Sequence, residues 1–211
     1  MTRPLPVIGT APPPVRSDAS RNREALLCAA RRLVEEVGVA GFSMDCLAAR
    51  AGVGKGTVFR RFGSRSGLFT ALLDEFERSF QDQVLAGPPP LGPGADPVQR
   101  LEAFGRHRLR FLAERGELLR AAEADLRGGA GPPADFARMH VRVLLRAAAA
   151  PGDLDVLSFY LLSCLEAPLS AHLAGVRSLG VGRLGDGWAD LVRRVVPPGG
   201  RGPHPGGPAP R

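Results

Sequence analysis

The sequence predicts an all-α protein made of two helical modules. Apolar residues recur at three- and four-residue spacing in several long segments, whereas no alternating strand pattern stands out. A proline- and glycine-rich stretch, AGPPPLGPGA over 86–95, interrupts these segments. The 211 residues, 44% of them hydrophobic, suffice for one large domain or two small ones. Because 85–95 contains no run of helix formers, we expect it to be a flexible linker between two modules.

Charge and cysteine usage restrict the partners and the compartment. The formal net charge of +7 and the pI near 10.7 favour an anionic partner. Cys28, Cys46 and Cys164 are an odd, widely spaced set without a disulfide or metal-binding pattern, so we expect a reducing compartment, the cytoplasm. No apolar run approaches the roughly 20 residues of a membrane helix, and prolines interrupt the amino terminus too often for a signal peptide. We therefore expect neither membrane insertion nor secretion.

The helices are expected between two disordered ends. Residues 1–19 and 197–211 are rich in proline and lack helical periodicity. Between them, apolar periodicity together with glycine and proline stop signals predicts the helices. They run over about 20–38, 44–50, 55–61, 65–84, 96–116, 117–126, 135–150, 154–175 and 181–195. The predicted domains are 20–84 and 96–196, on either side of the linker 85–95.

Within the first module, residues 47–69, LAARAGVGKGTVFRRFGSRSGLF, have the pattern of a helix-turn-helix. Ala48 is small enough for two helices to cross closely, and Gly52 can adopt the positive φ that ends a helix. Val53 can then fill the corner, and Gly54 can serve as N-cap of the second helix.

Positive charge is concentrated on this stretch. No Asp or Glu occurs between Cys46 and Leu73, whereas five cations do. They are Arg50, Lys55, Arg60, Arg61 and Arg65. On a helix-turn-helix, such a cluster is typical of a surface that meets a phosphate backbone. The plainer interpretation is an ordinary solvated face.

Residues 21–80 resemble the DNA-binding domain of the TetR family of bacterial repressors. The resemblance rests on Phe42, Ser43, Leu47, Ala48, Ala51, Gly52, Val53, Lys55, Gly56, Thr57, Phe59, Phe62, Ser64, Arg65 and Leu68. It implies a three-helix DNA-binding domain, a fourth long helix that leads into an all-helical ligand-binding and dimerisation domain, and a homodimer. It also implies that the last two helices of each subunit form the dimer interface as a four-helix bundle.

A dimeric reader of this kind places its recognition helix in the major groove of double-stranded DNA. We expect Lys55 and Arg60 to contact base edges, because a cation there can meet guanine acceptors, and Gly56 to permit close approach. The residues expected to contact phosphate are Ser43, Thr57, Arg61, Ser64 and Arg65.

Four positions depart from the family pattern. Phe59 stands where the family usually has Tyr, so its ring can pack or meet a thymine methyl but cannot donate to phosphate. Arg61 replaces a common His and Arg65 a common Lys, and both keep or add permanent charge. Gly54 stands where Ser is frequent, so the cap of the recognition helix depends on backbone groups.

The second module is where a small-molecule effector is expected, because helices with wide apolar faces can leave a cavity between them. The candidate lining residues are Phe104, His107, Phe111, His140, Tyr160 and Cys164. By analogy with the family, the ligand is expected to be small and hydrophobic. The candidate dimer-interface residues on the last helix are Leu184, Trp188, Leu191 and Val195, with packing inside one subunit as the alternative.

The sequence therefore predicts a ligand-responsive homodimeric repressor that binds a pseudo-palindromic operator. A helical ligand carrier or interaction protein with a vestigial DNA-binding module is the alternative. An enzyme is not expected: GVGKGT lacks the first Gly and the final Ser or Thr of a phosphate loop and follows a helix. No cofactor and no metal site are predicted either.

Overall fold

The computed structural model describes residues 18–123, 132–173 and 179–196. Those residues form nine helices and no strand, which confirms the all-α class. The predicted disordered ends 1–19 and 197–211 lie outside the described residues, except that Asp18 and Ala19 begin the first helix. The helices are α1 (Asp18–Gly41), α2 (Met44–Arg50), α3 (Lys55–Phe62), α4 (Arg65–Ala86), α5 (Pro97–Glu114), α6 (Gly116–Glu123), α7 (Pro132–Ala147), α8 (Leu154–Leu173) and α9 (Val181–Val195).

The chain divides into two compact units between Arg65 and Ser66. This division differs from the one expected at 85–95. The proline- and glycine-rich segment lies inside the second unit as a packed turn: the Gly92 amide donates to the Pro88 carbonyl at 3.0 Å, and Leu91 packs against the core. Prolines and glycines there form the turns that connect α4 to α5 within one unit.

The first unit consists of α1, α2 and α3. The core side chains of α1 are Leu26, Leu27, Ala30 and Leu33, as the periodicity predicts. Gly38, with φ 71° and ψ 171°, interrupts the helical geometry near the end of α1, where the sequence places a stop signal. This short core holds α2 and α3 in place.

The second unit has a core to which α4, α5, α7, α8 and α9 contribute. Phe80, Leu101, Phe104 and Leu165 are among its fully buried side chains. Asp96 caps α5 by accepting from the amides of Val98 and Gln99 at 2.9 and 3.4 Å, as predicted. Within the described part of the chain, no helix is long and apolar enough to span a membrane.

Candidate nucleic-acid interface

The turn between α2 and α3 has the geometry expected of a helix-turn-helix. Ser43 caps α2, with its Oγ accepting from the Cys46 amide at 3.1 Å. Gly52 has φ 65°, a value that favours glycine, and the next amide, of Val53, donates back to the Ala48 carbonyl at 3.0 Å. This positive φ and this hydrogen bond end α2 and direct the backbone towards α3.

One face of α3 is fixed to the core of the first unit. Val58 and Phe62, four residues apart, are buried, and the Arg23 guanidinium lies 5.6 Å from the centroid of the Phe62 ring. Gly54 caps α3 without a side-chain hydrogen bond, and its carbonyl accepts from the Thr57 amide at 2.9 Å. Because the buried face sets the rotation of so short a helix, it also decides which residues face outward.

The outward face of α3 carries Lys55, Gly56, Phe59 and Arg60, all of them exposed. These positions are spaced i, i+1, i+4 and i+5, so they share one side of the helix. Phe59 has 45% of its surface exposed, an unusual situation for a large aromatic side chain on a helix that buries another Phe. Within the described residues Arg60 makes no ion pair. The face offers cations and an apolar ring and contains no carboxylate.

Two of the predicted cations are held in ion pairs that the sequence analysis missed. The Lys55 ammonium lies 2.6 Å from Oδ2 of Asp45, and Nη1 of Arg50 lies 2.6 Å from Oε2 of Glu36. Both carboxylates lie outside the basic stretch, on α2 and α1, so only the tertiary fold brings them to these cations. The pairs lower the local positive potential that the composition of the stretch alone suggests.

The predicted phosphate-contacting residues lie at the start of α2, on α3 and at the start of α4. The Ser43 hydroxyl oxygen is engaged as a cap, but its O–H can still donate to an anion. Thr57, Arg61 and Ser64 are half-buried. Arg65 is exposed, and its Nη2 donates to the Val39 carbonyl, which ties the start of α4 to the end of α1.

The candidate ligand residues of the second unit do not form one site. Phe104 is fully buried in the core, and His140 is buried beside it, with 5.3 Å between the ring centroids. Tyr160, 62% exposed, and Cys164 lie on the outer surface of α8 instead, so the prediction that they line a cavity with the others is wrong. The pattern of α8 is apolar nearly all around, and periodicity alone therefore cannot say which side faces the core.

His107 and Phe111, by contrast, do line a common cleft. It has a volume of about 290 Å³ and is formed by side chains of α4 and α5 with Arg115, which follows α5. The His107 ring stacks on Phe80 with centroids 4.9 Å apart, and the Arg115 guanidinium lies 4.1 Å from the Phe76 centroid. Burial, reinforced by the charge of Arg110, lowers the pKa of His107, so its neutral imidazole is favoured in this cleft.

Trp188 lies in the core of its own subunit and not at a free surface. Only 4% of its area is exposed, and its Nε1 donates to the Leu101 carbonyl of α5 at 3.0 Å. The prediction that Trp188 lies in a dimer interface is therefore wrong, and packing inside one subunit is the outcome. Leu184, Leu191 and Val195 are partly buried against the same core. Within the described residues, no cluster of His, Cys, Asp and Glu could hold a metal ion.

Comparison with known proteins extends this description. A family model described as bacterial regulatory proteins of the tetR family matches residues 26–72, which include all of α2 and α3. A TetR-family transcriptional regulator from Pectobacterium atrosepticum is 20% identical, with a TM-score of 0.69 over 87% of this chain and 98% of that chain. No curated protein sequence matches significantly.

Two further solved structures share the fold. The SmeT–triclosan complex is 23% identical, with a TM-score of 0.56 over 90% of this chain and 100% of that chain. RolR in complex with resorcinol is 21% identical, with a TM-score of 0.59 over 84% of this chain and 88% of that chain. A helix-turn-helix followed by an all-helical unit is the architecture that this chain shares with these structures. Residues 26–72 are thus similar to the DNA-binding domain of the tetR family, and the chain as a whole shares the fold of these solved structures.

Proposed function

We propose that the protein is a homodimeric, cytoplasmic transcriptional repressor that binds a pseudo-palindromic operator and releases it when a small hydrophobic ligand occupies the second unit. The observation that carries the proposal is the outward face of α3. Val58 and Phe62 hold the helix by its opposite side, so Lys55, Phe59 and Arg60 are displayed at fixed positions. A helix held in this way can enter a major groove without rearranging.

On this face the roles divide by chemistry. Arg60 has a planar guanidinium that can meet both acceptors of a guanine, and Phe59 supplies an apolar surface for a thymine methyl. Lys55 is the second candidate for base contact, once it exchanges Asp45 for an acceptor on DNA. Ser43, Thr57, Arg61, Ser64 and Arg65 are proposed to donate to phosphates and to set the register of the helix on the duplex.

An exposed apolar surface on α7 and α8 supports the homodimer. Met139 and Val143 are four residues apart on α7, and Phe159 and Tyr160 lie on α8, which packs against α7. Met139 is 68% exposed and Phe159 61%, and large exposed apolar side chains on neighbouring helices are typical of a surface that another protein covers. We propose that a second copy covers it, in place of the interface that the sequence suggested around Trp188.

Small ligands in related folds support an effector. Triclosan and resorcinol are the ligands named for SmeT and RolR, and the second unit of this chain contains clefts of about 290 and 200 Å³. For the effector to act, it must bind the DNA-free arrangement of the dimer more tightly than the DNA-bound one. Operator and effector then weaken each other's binding by the same factor.

The ion pairs of Lys55 and Arg50 favour one competing function, a helical ligand carrier whose DNA-binding module is vestigial. Pairing with Asp45 and Glu36 reduces the free positive charge of the helix-turn-helix. A carrier would bind its ligand equally well with and without Arg60, and it would show no preference among DNA sequences.

Titration on DNA tests the proposal against this alternative. The probes are fragments that flank the gene of this protein and shuffled fragments of equal length, measured by fluorescence anisotropy at several salt concentrations. Affinity should fall steeply as salt rises, and Arg60→Ala should remove about 1–3 kcal/mol of discrimination between the two kinds of fragment. Arg78→Ala, which removes the same charge from an exposed site on α4, is the matched control and should change nothing. Binding without a salt slope and without a sequence preference would end the proposal.

A further inference from the structure

The second unit contains a cleft whose lining combines carboxylates with apolar side chains. Its volume is about 200 Å³, and side chains of α4, α5, α6 and α8 form it. Three carboxylates line it, those of Asp74, Glu77 and Glu166, whereas Arg108 is the only cation among its lining residues in the described part of the chain. Leucines and the Phe111 ring form the rest of the wall. The cleft is therefore acidic and apolar at once.

Glu77 is the buried member of this set. Its side chain is 9% exposed, and Oε2 accepts from Nη1 of Arg108 at 2.6 Å. Oε1 is buried and has no hydrogen-bond partner among the described residues. A buried acceptor without a partner is destabilising, so a donor that reaches Oε1 gains a contact that the described residues do not supply.

Among the described residues that line the cleft, Arg108 alone does not balance the three carboxylates. Its Nη2 also lies 3.4 Å from Oε1 of Glu166, so one guanidinium is shared between two carboxylates, and Asp74 is a third. The neighbouring cleft has the opposite charge balance, because two arginines, Arg110 and Arg115, line it together with one carboxylate, that of Glu114. A cationic ligand is thus favoured in the smaller cleft and disfavoured in the larger one.

We propose that the smaller cleft binds a small organic cation, a protonated amine on an aromatic body, which donates to Oε1 of Glu77. A cavity of about 150 Å³ holds benzene, so this cleft suits one aromatic ring with a short ammonium-bearing arm. Oε1 is covered as the structure stands, and the carboxylate must turn about its terminal torsion to receive the ligand. That torsion has a broad energy profile, and the turn exchanges part of the hydrogen bond between Oε2 and Arg108 for the bond to the ligand. The inference rests on the proposed function, since it names the chemical class of the effector.

Calorimetric titration of the full chain with three isosteric probes tests the proposal without DNA. The probes are 2-phenylethylamine, which is protonated at neutral pH, neutral 2-phenylethanol, and the phenylacetate anion. The amine should bind most tightly. Glu77→Gln, which keeps the shape and removes the charge, should weaken the amine about 10-fold to 100-fold and leave the alcohol unchanged. Asp82→Asn removes one charge from an exposed site on the same helix and is the matched control.

The outcomes separate this inference from the proposed function. Equal binding of amine and alcohol, no binding of the amine, or an amine affinity that Glu77→Gln leaves unchanged would each overturn the cation site, whatever the protein does on DNA. Loss of sequence-selective DNA binding in the separate DNA titration would overturn only the repressor. Thermal melting would reveal whether Glu77→Gln unfolds. In that case Asp74→Asn replaces it as the test variant, and the unmodified protein must still bind the amine more tightly than the alcohol. Without that preference the proposal fails.

Discussion

The Lys55 ammonium lies 2.6 Å from the Asp45 carboxylate, so the first cation of α3 is tied to the first turn of α2. Both side chains are more than half exposed, and an exposed pair of this kind contributes at most about 1 kcal/mol to stability. If α3 meets DNA as proposed, a phosphate or base must compete with Asp45 for the lysine. We therefore expect the pair to restrain binding to DNA that lacks an acceptor able to displace Asp45.

Asp45→Asn should release Lys55 and raise the affinity for shuffled DNA several-fold, with a salt slope steeper by about one counterion. The ratio of operator affinity to shuffled-DNA affinity should fall. Anisotropy titrations at several salt concentrations measure both quantities. Asp82→Asn changes the net charge equally on α4 and should leave them unaltered. An unchanged affinity for shuffled DNA in Asp45→Asn would show that Asp45 does not restrain Lys55.

Gly56→Ala should stabilise the fold and weaken DNA binding. A Cβ at position 56 would meet no atom within 4 Å, and alanine is the better helix former by up to about 1 kcal/mol. If DNA approaches this face of α3 closely, the same methyl group comes between helix and bases. Urea unfolding and operator titration measure the two effects on one variant. A variant that gains stability and keeps its operator affinity would contradict the proposed contact at Gly56.

Gly105→Ala should destabilise the second unit. A Cβ there would lie 2.1 Å from Nε1 of Trp188, so α5 and α9 would have to separate. Overpacking of this kind costs about 1–3 kcal/mol and exceeds the gain in helix propensity. Urea unfolding followed by the fluorescence of Trp188, the only tryptophan, gives the free energy directly. Gly187→Ala on α9, whose Cβ would meet nothing within 4 Å, is the matched control and should not lose stability.

His140 should make stability depend on pH. Burial, with a smaller contribution from Arg100, lowers its pKa from 6.5 to about 4, so the folded state binds fewer protons at this site than the unfolded state does. The contribution of His140 to stability is therefore complete above the unfolded pKa of 6.5 and is lost as the pH falls towards 4. Urea unfolding at several pH values should show a shallower decline over this window in His140→Leu than in the unmodified protein. Equal slopes would show that folding does not lower the pKa of His140.

The helices could be predicted from the sequence because their cause is local. Apolar spacing and the caps at Ser43 and Asp96 act over a few residues, and the structure confirms α2 as predicted and α3 to within one residue. The turn at Gly52 was predictable for the same reason, because a backbone position with a positive φ is usually occupied by glycine.

The features that the sequence did not predict depend on contacts between segments that are distant in the chain. The residues next to Lys55 do not predict its ion pair with Asp45, which lies on another helix. Likewise, Trp188 is buried only because α9 packs against α5. On α8, apolar side chains face both the core and the outside, so Tyr160 and Phe159 could not be told from core residues by type. The acidic cleft around Glu77 combines four helices, and no single stretch of sequence contains its pattern.

A footprint on the DNA that flanks the gene of this protein tests the central claim most directly. If α3 reads the major groove in a homodimer, two related half-sites should be protected, with centres separated by whole helical turns of about 34–36 Å each. Arg60→Ala should weaken both half-sites alike, because symmetry places the same side chain on each. Protection of one isolated half-site, or uniform protection without sequence preference, would contradict the account.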